Sequence, residues 1–363
     1  MLAPSGFSPA HVIPVVFANP VNHKLLKWLN SIFGRALRKL MAKSVLTDEQ
    51  VKPAKLTRYA SLRWLPAFVR RYRPYGLPLL YGASALFHWR QLSALIHARR
   101  GSMLERLVAA RPEIWSFLRV RFVAAHWTAR DRFRRIIDHC DLMESIGRPF
   151  DIKPNEAATL MTMERIGPSF LLVLDSARWL FREGLLVLSL MDRQERIFAI
   201  VFTLARERNG DRTAYVGGIQ GGSGKDALLR NRAFTKAAGG TRPQDMLVEM
   251  FRALCQSANV SRILCVSDRI RNGQTAFAHS DAGYADPVMF DYDALWRERG
   301  GTLRSDGFFD IPLVAPVRDD SDIPAKRRQA RRKKLALIDA LKQDLGNRLS
   351  DPATIQIDKV EPV

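Results

Sequence analysis

The stretch REGLLVLSLMDRQERIFAIVFTLARERNGDRTAYVGGIQG, residues 182–221, decides how this chain folds. It holds three runs rich in β-forming residues, at about 185–190, 197–205 and 213–219. Short polar links join them: DRQER between the first two, and ERNGDR, with its Asn209-Gly210 pair, between the second and third. Links this short leave no room for a crossover, so the runs pair as an antiparallel meander. The third run leads into YVGGIQGGSGKDA, residues 215–227, where glycines crowd toward a Gly-Lys pair as they do in a nucleotide-phosphate loop.

That resemblance fails on chemistry. A Walker loop needs a glycine, four residues, then Gly-Lys followed by a hydroxyl that holds magnesium. Counting back from Gly224-Lys225 reaches Ile219, and counting forward reaches Asp226, whose carboxylate would repel a triphosphate. The preceding meander is also the wrong setting, because a P-loop joins a parallel strand to its helix. It is not a P-loop.

Outward from the meander, a polar stretch precedes a helix predicted from Pro243 to about Ala258, with proline in its first turn where a missing N–H costs nothing. RILCVS, 262–267, reads as a short buried strand; DYDALWRERGG as a short helix closed by glycine; and GFFDIPLV as a last strand. A final helix is predicted from Pro324 to about Asp344. Upstream, helical spacing predicts helices at about 24–43, 80–98, 102–124 and 128–146, the last stopping at Gly147. The fold class expected is α+β. A basic, mostly helical region (1–150) precedes a mixed, largely antiparallel sheet domain (151–345), and 346–363 forms a tail.

Charge is the strongest global signal. Formal net charge is +21, and residues 1–150 hold 25 Lys/Arg against 8 Asp/Glu, whereas the rest hold 32 against 28. Such asymmetry implies a polyanionic partner: an anionic ligand, an anionic membrane surface or nucleic acid. The amphipathic helix at 24–43 suits either a membrane interface or packing on the rest of the protein. KRRQARRKK, 326–334, has seven basic residues that encircle a helix, for phosphate binding or for pairing with Asp319, Asp320 and Asp322.

Other features narrow the class. Cys140, Cys255 and Cys265 have no CxxC spacing, so neither a disulfide framework nor a zinc knuckle is expected, and a reducing compartment fits. The N-terminus lacks a basic region ahead of an apolar core, and no uncharged apolar run reaches the ~18–20 residues that span a bilayer. The expected location is cytoplasmic, with peripheral attachment to the inner membrane as its variant. The seven histidines are scattered without a metal-binding spacing; His126 and His139 suit either a general base or partly buried packing, and Cys265 reads as a core thiol.

YVGGIQG, RNRAFTKAAGGTRPQDML, ILCVSD, FDYDALWRERGG, GFFDIP and DIPAKRR occur in one order, with REGLLVLSL and HCDLMESIG upstream. Together they resemble the DUF535 family of bacterial proteins, also called VirK/YbjX, over roughly residues 130–335. Asp268 follows Ser267 where that pattern has asparagine, and RIRNGQTAF lacks its histidine. The resemblance implies a role in envelope, virulence or stress-response physiology, with molecular activity undefined.

The order of elements is also similar to the GNAT acyltransferase core, in which backbone amides beyond the fourth strand and a helix N-terminus hold an acyl-CoA pyrophosphate. By that analogy Gly217, Gly218, Gln220 and Gly221 form the ligand loop, and Arg232, Lys236 and Arg242 neutralise phosphates. Each has a structural alternative. Gly217 and Gly218 suit a β-bulge, Gln220 suits buried backbone groups, and the arginines suit pairing with Glu183, Asp226 or Asp245. Three functions follow: a VirK/YbjX-type protein with an anion-binding basic cleft, an acyl-CoA-dependent acyltransferase, and a nucleic-acid-binding protein of the DNA-damage or stress response. No catalytic residue, metal or oligomeric state is assigned from sequence, and acyl-CoA is the candidate cofactor.

Overall fold

A computed structural model describes residues 87–178, 180–222, 226–272, 291–316 and 324–360. The predicted amphipathic helix at 24–43 lies outside these residues. The first described helices are α1 (Trp89–Ile96) and α2 (Met103–Ala110), followed by a 3₁₀ turn over Pro112–Leu118. The single helix expected over 102–124 is therefore broken, because Pro112 offers no N–H to continue α2. Helix α3 (Ala129–Ile146) starts at a reciprocal capping box between Thr128 and Asp131 and stops at Gly147, whose φ of 80° only glycine adopts without strain.

Strands β1 (Glu156–Thr162) and β2 (Phe170–Ser176) come next, neither anticipated from the pattern. The meander follows as β3 (Leu186–Asp192), β4 (Glu195–Arg206) and β5 (Arg212–Gly221). The polar stretch after β5 is a helix, α4 (Ala227–Ala237), and α5 (Pro243–Ser257) begins at the expected proline. Then come β6 (Arg262–Val266), α6 (Tyr292–Glu298), β7 (Thr302–Leu303), β8 (Phe308–Ile311), α7 (Ala325–Ser350) and β9 (Gln356–Lys359). Residues 346–363, expected as a tail, include the last turn of α7 and β9, which pairs with β1 and forms that edge of the sheet. α7 runs past its predicted end at about Asp344 to Ser350, since the lone helical glycine at 346 costs only ~1 kcal/mol.

The nine strands form one sheet in the order β7-β8-β6-β5-β4-β3-β2-β1-β9. Among the described strands β5–β6 is the single parallel pair, as a helix-containing connection allows; all others are antiparallel. The class is α+β. β4 is buried along nearly its whole length, because α3 and α5 both pack on it. From α5, Phe251 meets Phe202 edge-on at 4.9 Å between centroids. From α3, His139 is fully buried with Nδ1 3.1 Å from the Leu204 N–H, and burial lowers its pKa to about 4. It is a neutral packing group. Arg135 pairs with Glu207 at 2.5 Å and lies 4.5 Å from the Tyr215 ring, so a buried cation ties the helix to the sheet. The three cysteines are buried and unbridged.

Candidate functional site

The site is built where β5 and β6 part. They pair only from Thr213 opposite Arg262 to Val216 opposite Cys265, after which β5 runs on through Gly221 without a strand on that side among the described residues. On its other side β5 keeps pairing with β4. There Phe202 opposes Val216 and Val201 opposes Gly218, which leaves Gly217 as the extra residue of a bulge. Gln220 and Gly221 stay in that ladder opposite Ala199 and Phe198.

The gap is bridged rather than empty. The Tyr292 hydroxyl of α6 accepts the Ile219 N–H and donates to the Ile219 carbonyl, each at 3.0 Å. Burial pushes this phenol up to about 12, so it is protonated at neutral pH. The Arg271 guanidinium lies 4.9 Å from the Tyr292 ring centre, with Nε 3.3 Å from an Asp268 carboxylate oxygen. Asp268 and Asp293 lock α6 to the end of β6 by exchanging backbone N–H bonds to each other's carboxylates.

Glu183 completes the cluster. It lies in the turn between β2 and β3, where the Arg182 carbonyl accepts from the Val123 N–H at 2.8 Å and from Asn272 at 2.7 Å. Its backbone and carboxylate are seated directly on Gly217 and Gly218. A Cβ on Gly217 would overlap the Glu183 carbonyl, and one on Gly218 the Glu183 carboxylate. The two glycines therefore make room for a side chain. Desolvation raises the Glu183 carboxyl to about 7, with the nearby positive Arg271 opposing the shift. The same residue lines a cavity of about 330 Å³ walled by Phe117, Leu180 and Phe181, with Glu113, Ser116 and Arg182 at its polar positions. A carboxylate poised near neutrality beside such a cavity can accept a proton; the phenol can give one up.

The other sequence-predicted ligand residues sit elsewhere. Arg232 and Lys236 are exposed on α4 and share a shallow groove of about 490 Å³ with Arg242, Leu228, Thr235 and Pro243. None of Gly217, Gly218, Gln220 or Gly221 lines it. The structure thus brings the three cations together and separates them from the glycines. Arg242 takes the pairing alternative, with Asp245 at 2.8 Å and Glu298 at 2.9 Å, and these partners raise its pKa. A larger cavity of about 850 Å³ between α5 and α7 carries more basic than acidic side chains: Arg252 and Lys342 pair with Glu249 and Arg299 with Asp245, while Arg331 and Lys334 of the basic run also line it. The basic run 326–334 forms the first turns of α7, with Arg327, Arg332 and Lys333 exposed.

Sequence reasoning passed over Tyr292 and Arg271 and treated Glu183 only as a bridge partner. The signal was nevertheless present, since Glu183 stands in REGLLVLSL and Tyr292 in FDYDALWRERGG, two of the blocks that carried the family resemblance.

Comparison with known proteins agrees with that resemblance. The model of the family described as "Protein of unknown function (DUF535)" matches residues 78–347. An uncharacterized protein of Haemophilus influenzae is 24% identical over 233 residues, which is 63% of this chain and 74% of that protein. The uncharacterized protein YbjX of Escherichia coli K12 is 25% identical over 147 residues, 40% of this chain and 43% of YbjX. The chain thus spans most of the first relative's length but less than half of YbjX. No solved structure matches. No helix among the described residues is long and apolar enough to cross a membrane.

Proposed function

We propose, for this chain that belongs to the DUF535 family, that the gap between β5 and β6 is an acyl-transfer centre with acyl-CoA as donor. One observation carries the reading: a half-buried Glu183 carboxyl, raised to about 7, seated on the bulged glycines where the two strands part. The order of elements supports it. A three-strand meander is followed by two helices, α4 and α5, a parallel strand that diverges, another helix, and a hairpin whose second strand lies beside that parallel strand. This order is similar to that of the GNAT core, with α4 directly after the glycine strand and α5 as an additional helix before β6.

In this reading Gly217, Gly218, Gln220 and Gly221 form the strand that receives the thioester. Glu183 takes a proton from the attacking amine or hydroxyl of the acceptor. A new bond forms to the thioester carbonyl carbon, and the carbon–sulfur bond breaks. Tyr292, held protonated, returns a proton to the departing thiolate, so the products are an acylated acceptor and a free thiol. Phe117, Leu180 and Phe181 of the adjoining cavity give the carboxyl an apolar flank. Arg232, Lys236 and Arg242, in their separate groove, are left for another anion. The physiological setting implied by the family resemblance is the envelope, virulence or stress response.

The test is calorimetric titration with acetyl-CoA, coupled to thiol release. Glu183→Gln should keep binding but lower thiol release by about 10²-fold or more, and wild-type release should rise through about pH 7 as the carboxyl ionises. Absence of acetyl-CoA binding by the wild type would overturn the assignment. So would a Glu183→Gln rate equal to wild type.

A further inference from the structure

We infer that α4 is a docking element for an anionic bilayer surface, a reading independent of acyl transfer. The helix, ALLRNRAFTKA, is held to the core through Phe234, which is fully buried and meets Phe170 edge-on at 5.2 Å. Its first turn carries two adjacent leucines that the fold leaves bare: Leu228 is 69% exposed and Leu229 60%. Solvating two large aliphatic side chains on one turn is unfavourable unless something covers them.

The surroundings say what covers them. Leu228, Arg232 and Lys236 are spaced four residues apart, so they form one row along the outer face of the helix. That row is one wall of the shallow groove of about 490 Å³ completed by Thr235, Pro243 and Arg242. α4 contains no Asp or Glu. Apolar side chains at the tip, cations a turn or two behind them and no acid between is the arrangement that seats leucines below headgroups while guanidinium and ammonium groups meet phosphates. A second copy of the chain fits this face poorly. A two-fold contact centred on this row would bring Arg232 and Lys236 close to their own like charges.

Co-sedimentation of the full chain with phosphatidylcholine vesicles, with and without phosphatidylglycerol, tests this. Wild type should bind the vesicles that contain phosphatidylglycerol and bind pure phosphatidylcholine weakly. Replacing both leucines by serine (L228S with L229S) should lower the partition coefficient by roughly tenfold. Arg232→Glu with Lys236→Glu should lower it by roughly tenfold or more and remove the preference for the anionic lipid. All four side chains are exposed or on the outer face, so melting curves should match wild type, which separates lost docking from lost folding. Every other basic segment stays intact in these variants. Binding at wild-type strength by both would therefore overturn the role of α4. Equal binding of wild type to both vesicle types would overturn it too, as would leucine variants that change only the oligomeric state.

Discussion

Residues 217–221 and residues 227–237 are neighbours in sequence, yet they treat charge in opposite ways. Around β5, the ionisable groups that meet the strand are withdrawn from water. Glu183 lies on Gly217 and Gly218, Tyr292 bonds both polar atoms of Ile219, and Arg271 covers the Tyr292 ring. Around α4, Arg232 and Lys236 stay in solvent beside two bare leucines. The difference teaches that glycine and arginine, grouped as one anion loop by sequence, serve two surfaces. Where backbone is hidden, glycine admits a neighbouring side chain; where cations are exposed, they face something outside the molecule. A buried charge needs a local partner or a shifted pKa, and an exposed one needs neither.

The contrast can be broken most directly at Phe234. Phe234→Ala removes the fully buried ring of α4 and should cost roughly 3–5 kcal/mol in urea denaturation. Amide exchange across 227–237 should accelerate at the same time. A loss under ~1 kcal/mol with fast exchange would show α4 opening by itself, and the two regions would be energetically separate.

Gly217→Ala comes next. Its Cβ would meet backbone of Glu183, which cannot swing away as a side chain can, so roughly 1–3 kcal/mol should be lost. Gly221→Ala is the control, because its Cβ would meet the Phe198 ring at 3.2 Å and that ring can give way; a loss under ~1 kcal/mol is expected. Equal losses at the two positions would mean that Glu183 does not define the glycine requirement.

The smallest effect is also the most specific. Glu183 has an ordinary carboxyl value of 4.5 in the unfolded chain and about 7 when folded, so the folded state holds the extra proton between those values. Its contribution is therefore fully present below pH 4.5 and is lost as pH rises through about 7. Glu183→Gln should remove that slope, so the variant should gain on wild type in melting temperature between pH 5 and 8. Parallel profiles would mean that the carboxyl is not held away from water.

Much of this fold was legible in the order of residues. The meander, the proline start of α5, the strand around Cys265, and the α3 stop at Gly147 follow from short-range rules of turn length, capping and alternation. The family kinship followed from motif order. β9 was not legible, because this edge strand is specified by a distant partner: it pairs with β1 across some two hundred residues of chain. The helical character of α4 was hidden by its weak apolar pattern, with Phe234 as its buried residue.

The sequence by itself determined the α+β class, the central meander, the inert cysteines and the presence of more basic than acidic charge. Only the tertiary structure decided that Glu183, Gly217, Arg271 and Tyr292 meet at one gap, and that Arg232 and Lys236 face outward from another place. The reason is physical. Local periodicity fixes which side of a strand or helix a residue occupies, but desolvation, and with it the pKa and chemistry of a side chain, depends on atoms that arrive from remote parts of the chain.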